Sequence, residues 1–96
     1  MAGYRPDIPP KVAEVIRSLP PDVKRAVKAA LRALGADPAA GEPLRGELEG
    51  LMKYRVRRYR IVYEVVRAGR VLRVLAVGHR RAVYEELAEA LRRGSR

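Results

Sequence analysis

No cysteine, phenylalanine or tryptophan occurs in these 96 residues, and histidine occurs once. Without cysteine there is no disulfide framework and no thiolate chemistry, which fits a reducing compartment. A single histidine leaves only carboxylates as metal ligands, and these form no cluster along the chain, so no metal site and no cofactor is expected. Without Phe or Trp the core must be built from Leu, Val, Ala, Ile and Tyr. No apolar run approaches the roughly 18 residues of a spanning helix, and the N-terminus lacks the apolar stretch of a secretory signal. These absences point to a cytoplasmic protein without membrane contact. The length allows one domain, residues 1–96, around one core, with no internal repeat and no low-complexity segment.

Acidic residues are scarce too, and their scarcity is local. Between Lys53 and Arg81 ten basic residues (Lys53, Arg55, Arg57, Arg58, Arg60, Arg67, Arg70, Arg73, Arg80 and Arg81) meet one acid, Glu64. That stretch carries a net +9, nearly all of the +10 of the whole chain. Apolar and basic residues alternate through Tyr54-Arg55-Val56-Arg57 and Arg60-Ile61-Val62-Tyr63, the pattern of strands with one face in the core and the other lined with cations. The alternation puts Lys53, Arg55 and Arg57 on one face. A concentrated positive face on a rigid sheet calls for a polyanion, nucleic acid above all. The competing reading is a solvated arginine-rich surface. Arginine outnumbers lysine 17 to 4, which favours planar, bidentate phosphate recognition and is equally compatible with genome composition or growth at high temperature.

The rest of the chain divides readily. Tyr4 to Ile8 reads as an edge strand, since Pro6 cannot donate to a ladder. Lys11 to Leu19 carries Val12, Val15, Ile16 and Leu19 at helical spacing behind Pro9-Pro10. After Pro20-Pro21, Asp22 to Leu34 forms a second amphipathic helix that Gly35 ends, and the short connection predicts an antiparallel helical hairpin. Asp37 to Pro43 reads as a loop. Three strands follow as a meander, about Met52 to Arg57, Tyr59 to Val66 and Arg70 to Val77, with turns at Arg57-Arg58 and Ala68-Gly69. The first turn is unusual, because neither arginine favours positive φ. A helix over Arg81 to Arg93, with Val83, Leu87 and Leu91 inward, closes the chain. The fold class expected is α+β: an N-terminal helical hairpin on a small, mostly antiparallel sheet, in the order β-α-α-β-β-β-α. Tyr59 and Tyr63 share a face with Ile61 and Val65 and belong to the core.

Three motifs in order resemble the RelE branch of the RelE/ParE toxin superfamily: Leu44-Arg45-Gly46, then Lys53-Tyr54-Arg55 running into Tyr59-Arg60-Ile61-Val62-Tyr63, then Gly78-His79-Arg80-Arg81-Ala82-Val83-Tyr84. The resemblance covers roughly residues 11 to 91. It implies a small toxin that enters the ribosomal A site, cuts the mRNA there and is restrained by a cognate acidic antitoxin. The implied chemistry is metal-free. The ribose 2′-hydroxyl attacks the adjacent phosphorus and expels the 5′-oxygen, leaving a 2′,3′-cyclic phosphate and a 5′-hydroxyl. Such a step needs a base at the 2′-hydroxyl, cations around the non-bridging oxygens and a proton source at the leaving oxygen.

The same resemblance implies a catalytic set of Lys53, Arg55, Arg60, Arg80 and Tyr84; beside it Arg57, Arg58, His79 and Arg81 are expected to bind RNA, the first two through positive charge at the rim of the site. Arg60 would clamp phosphate, Arg80 would steady the leaving oxygen, and Tyr84 would stack on a base or orient the 2′-hydroxyl. Arg55 cannot readily lose a proton, so the proton acceptor is left to Lys53, Tyr84 or His79. Lys53 leads, because surrounding cations should lower its hold on a proton. Arg57-Arg58 replaces a Gly-Asp turn of the family pattern. Two other readings stand beside this one: a ParE-like toxin that inhibits DNA gyrase, and a basic nucleic-acid-binding domain that cuts nothing.

Overall fold

The computed structural model describes residues 3–94. The chain runs β1 (Arg5–Asp7), α1 (Pro10–Arg17), α2 (Pro21–Ala36), β2 (Glu42–Pro43), β3 (Met52–Val56), β4 (Tyr59–Val66), β5 (Val71–His79) and α3 (Val83–Gly94), with 3₁₀ turns at Pro38–Ala40 and Gly46–Leu48. The sheet order is β1-β5-β4-β3-β2. β1 lies parallel to β5 at one edge and every other pairing is antiparallel. This is the expected α+β layout with one addition. Glu42–Pro43, inside the stretch read as loop, pairs with β3 as a short edge strand.

Prolines open both N-terminal helices at positions where the missing N–H costs nothing. Val12 and Ile16 of α1 and Val23, Val27, Ala30, Leu31 and Leu34 of α2 are buried against one face of the sheet, over Val56, Ile61, Tyr63, Leu72, Val74 and Val77. α2 does not stop at Gly35. It continues to Ala36, and the Gly35 carbonyl accepts the Tyr4 N–H at 2.7 Å, so this glycine serves the close approach of the N-terminal segment. Val15 and Leu91, both expected on inward stripes, are each 42% exposed. For Leu91 the reason is that the core beneath α3 is small and ends at Leu87 and Ala88.

α3 packs on the opposite face, with Val83, Leu87 and Ala88 against Leu48 and Val62. It covers only part of that face, and the uncovered part is where the cations of β3 and β4 point. Met52, Tyr54, Val56, Tyr59 and Ile61 pack toward α1 and α2, so the period of two sends Lys53, Arg55 and Arg60 to the α3 side. On β5 the register slips between Val62↔Ala76 and Tyr63↔Val74, leaving Leu75 as an extra residue. Leu75 and Ala76 both join the α3 side, and beyond them the parity reverses. Val77 therefore enters the α1–α2 core, and Gly78 lies opposite Arg60.

Candidate functional site

The open part of the α3 face is a two-lobed cleft. Ala40, Gly41, Glu42, Lys53, Tyr54, Arg55 and Arg60 line one lobe of about 280 Å³. Lys53, Arg60, Arg80, Arg81 and Tyr84 line the other, of about 380 Å³. Lys53 and Arg60 belong to both, so the lobes are continuous.

Each side chain reaches the cleft for a local reason. Lys53 and Arg55 alternate out of β3, and Arg60 stands directly opposite Arg55 in the β3–β4 register. The Arg60 guanidinium donates to the carbonyls of Tyr59 (2.8 Å) and Arg57 (3.1 Å), which holds it over the strand. Arg80 follows β5, and its N–H donates to the Arg58 carbonyl at 2.8 Å, tying the end of β5 to the β3–β4 turn. Tyr84 arrives on the first turn of α3. That helix can start so close to the sheet because residue 78 is glycine: a Cβ there would stand 3.2 Å from the Val83 Cβ. The Lys53 ammonium lies 5.9 Å from the centre of the Tyr84 ring, a cation–π approach. The Tyr84 hydroxyl is buried and has no partner among the described residues. The ring, more than the hydroxyl, is what Tyr84 offers to the cleft.

Five cations, Lys53, Arg55, Arg60, Arg80 and Arg81, thus face one acid, Glu42, whose Oε1 is 3.9 Å from the Lys53 Nζ. Among the described residues Arg55, Arg60, Arg80 and Arg81 take part in no ion pair. Uncompensated cations in a concave surface focus a positive potential, and the matching ligand is an anion with several charges. No group of three or more His, Cys, Asp or Glu side chains among the described residues could hold a metal ion.

All five residues expected to be catalytic therefore line the cleft, and Arg81 joins them. Three expected RNA-binding residues do not. Arg57 sits in the turn with φ 57 and its guanidinium reaches back to the Asp22 carboxylate at 2.8 Å, on the α2 side of the sheet. Placing it on one face with Lys53 and Arg55 is incorrect, because the strand ends at Val56 and the turn rotates the next side chain away. His79 is also turned away. The bulge at Leu75 puts it across from Tyr59 on the α1–α2 side, edge-on to that ring at 5.8 Å, and its Nδ1 accepts the Arg81 N–H at 3.3 Å. Arg58 occupies the exposed tip of the turn and lines neither lobe.

Glu42 is the charged cleft residue that the sequence reading missed. It lay in a stretch read as loop, yet a signal was present, since the residue before a proline is biased toward extended backbone. It places a negative charge beside Lys53, which the sequence alone surrounds with cations.

A family model described as the ParE toxin of the type II toxin–antitoxin system parDE matches residues 11–84. No curated protein sequence matches the chain. Among solved structures it is similar to a double mutant of the Escherichia coli toxin RelE in the free state, with 30% identity over 97% of this chain and 98% of that one and a TM-score of 0.75. It is similar to the RelBE2 toxin–antitoxin complex of Mycobacterium tuberculosis, with 30% identity over 81% and 99% and a TM-score of 0.73. The RelE–RelB complex of Pyrococcus horikoshii is more distant, with 25% identity over 81% and 96% and a TM-score of 0.67.

Proposed function

Since this chain belongs to the RelE/ParE superfamily of type II toxin–antitoxin toxins, we propose that it is a ribosome-dependent endoribonuclease that cuts mRNA in the A site. One observation supports this above the others: Lys53 of β3, Arg60 of β4, Arg80 just past β5 and Tyr84 of the first turn of α3 meet in one cleft. A toxin acting through a flat protein–protein contact has no need of that convergence.

In the proposed reaction the 2′-hydroxyl forms a bond to the neighbouring phosphorus while the bond to the 5′-oxygen breaks. Arg55 and Arg60 lie side by side and neutralise the non-bridging oxygens as charge accumulates on them. Arg80, with Arg81 next to it, donates a hydrogen bond to the departing 5′-oxygen, which takes its proton from solvent water to become the 5′-hydroxyl. The Tyr84 ring stacks a base beside the scissile linkage and so holds the nucleotide in line. For the 2′-hydroxyl proton the cleft offers Lys53 and Glu42 together. A carboxylate is unprotonated at neutral pH without assistance, whereas an ammonium must first give up a proton. Glu42 then accepts the proton and Lys53 stabilises the charge that develops.

Relatives solved as complexes with their antitoxins support a cognate antitoxin here as well. The exposed cations suit an acidic, flexible segment that folds as it wraps the toxin. The second reading, a ParE-like inhibitor of DNA gyrase, has the matched family model on its side, but it gives the cleft no task.

Purified ribosomes programmed with a defined mRNA separate the readings. Codon-specific cuts are expected, reduced about 10²- to 10³-fold by Arg80→Ala and strongly by Tyr84→Ala. Inhibited supercoiling without RNA cuts would favour the gyrase reading. Salt-sensitive RNA binding with neither effect would leave a binding domain.

A further inference from the structure

One wall of the cleft is fastened from the opposite side of the sheet. Tyr63 of β4 is fully buried among the residues beneath α1 and α2. Its hydroxyl nevertheless reaches the segment that precedes β2, donating to the Pro38 carbonyl at 2.7 Å and accepting the Gly41 N–H at 3.1 Å. Glu42, the next residue, pairs with Lys53 across β2 and β3 and brings its carboxylate to 3.9 Å from the ammonium.

The segment's other ties are the Ala40 N–H to the Asp37 carbonyl at 3.1 Å and the short pairing of β2 with β3. Ala40 and Gly41 face the cleft, while Pro38 and Ala39 line a second pocket with Tyr4, Asp37, Met52, Val65 and Arg67. The segment is a thin wall with a hollow on each side, and β2 is two residues long. The tether also explains the glycine. A Cβ at position 41 would lie 2.3 Å from the Tyr63 hydroxyl oxygen and 2.6 Å from the Lys53 carbonyl oxygen, so only glycine allows this approach. Burial, helped by Asp37 and Tyr54 and opposed by the Gly41 N–H, pushes the phenol's pKa up and keeps it a neutral donor.

We propose that Tyr63 is a positioning residue for the cleft: its hydroxyl fixes the Pro38–Gly41 segment and thereby sets Glu42 against Lys53. The proposal rests on the cleavage reading for its effect on rate, and its geometric part can be tested without it. Tyr63→Phe removes one oxygen and leaves the ring in the core. In ribosome-programmed cleavage it is expected to lower kcat about 10- to 100-fold with KM within about twofold. The Tyr63→Phe/Glu42→Gln double variant should lose little more than Glu42→Gln alone, and Gly41→Ala should reproduce the Tyr63→Phe loss of kcat. In acylation of the free protein, read by mass spectrometry, Lys53 should react faster in Tyr63→Phe, with Lys11, Lys24 and Lys28 unchanged. Wild-type cleavage by Tyr63→Phe, or losses that multiply in the double variant, would overturn the role in rate. An unchanged Lys53 reactivity would overturn the positioning itself. If the wild-type protein makes no cuts at all, it is the cleavage reading that fails, and the acylation result still decides the geometry.

Discussion

Arg55 and Arg60 stand directly opposite each other on one face of the sheet, with no acid paired to either among the described residues. Like charges in that position repel, and the opposition costs on the order of a few tenths of a kcal/mol at low salt until an anion arrives. Arg55→Ala is therefore expected to hold or slightly raise the stability of the free protein while it weakens RNA binding. Thermal unfolding at low salt, set beside binding of a short single-stranded RNA, checks both halves. A less stable Arg55→Ala protein would contradict the account. Arg57 behaves in the opposite way. Its guanidinium is committed to Asp22 behind the sheet, and the Asp22 carboxylate is held below its ordinary range by its own N–H first, then by that of Val23 and by Arg57. Arg57→Ala should leave ribosome-dependent cleavage within about twofold of wild type.

Among the elements, the β3–β4 turn shows what alternation can and cannot reveal. Val56 pairs with Tyr59, so only Arg57 and Arg58 lie between them, and Arg57 takes the left-handed conformation. Three contacts hold it there: its own ion pair with Asp22, the Arg60 guanidinium on its carbonyl, and the Arg80 N–H on the Arg58 carbonyl. The left-handed conformation costs a non-glycine residue roughly 1–2 kcal/mol, and an exposed ion pair returns about 0–1 kcal/mol. Arg57→Gly is accordingly expected to match or exceed wild-type stability by up to about 2 kcal/mol. A lower urea midpoint at an unchanged slope would argue against that balance.

The strands and helices themselves were legible because their periods are strong. Lys53 and Arg55 follow from the alternation, and Arg60, Arg80 and Tyr84 from local motifs whose spacing the fold preserves. Two features had no counterpart in the pattern. The bulge at Leu75 reverses the parity of β5 and turns His79 from the cleft to the Tyr59 side, although nothing in Val74-Leu75-Ala76-Val77 announces an extra residue. β2 exists because Tyr63 and Lys53 give Gly41 and Glu42 partners, and those partners lie 22 and 11 positions away along the chain. A two-residue strand has no period to read.

For the whole molecule, what matters is where the charge stays unpaired. Outside the stretch from Lys53 to Arg81, Asp22, Glu47 and Glu89 pair with Arg57, Arg92 and Arg93, and Glu42 is the acid that enters the cleft. The remaining positive potential converges where a nucleic-acid backbone could pass. RNA affinity should consequently fall steeply with salt, each phosphate neutralised by the cleft contributing about −0.7 to the slope of log K against log salt concentration. Arg55→Ala should reduce that slope by about 0.7, and Arg57→Ala should leave it unchanged. Equal slopes for both variants would mean that the cleft is not where the RNA lies. Among the described residues no helix is long and apolar enough to cross a membrane.

The most direct measurement of the central claim is to induce the protein in growing cells and map mRNA 5′ ends across the transcriptome, beside the Arg80→Ala variant. New ends bearing 5′-hydroxyls, confined to translated codons and absent with Arg80→Ala, are the expected result. Ends that appear equally in both strains, or growth arrest with intact mRNA, would contradict a cleavage site built from Lys53, Arg60, Arg80 and Tyr84.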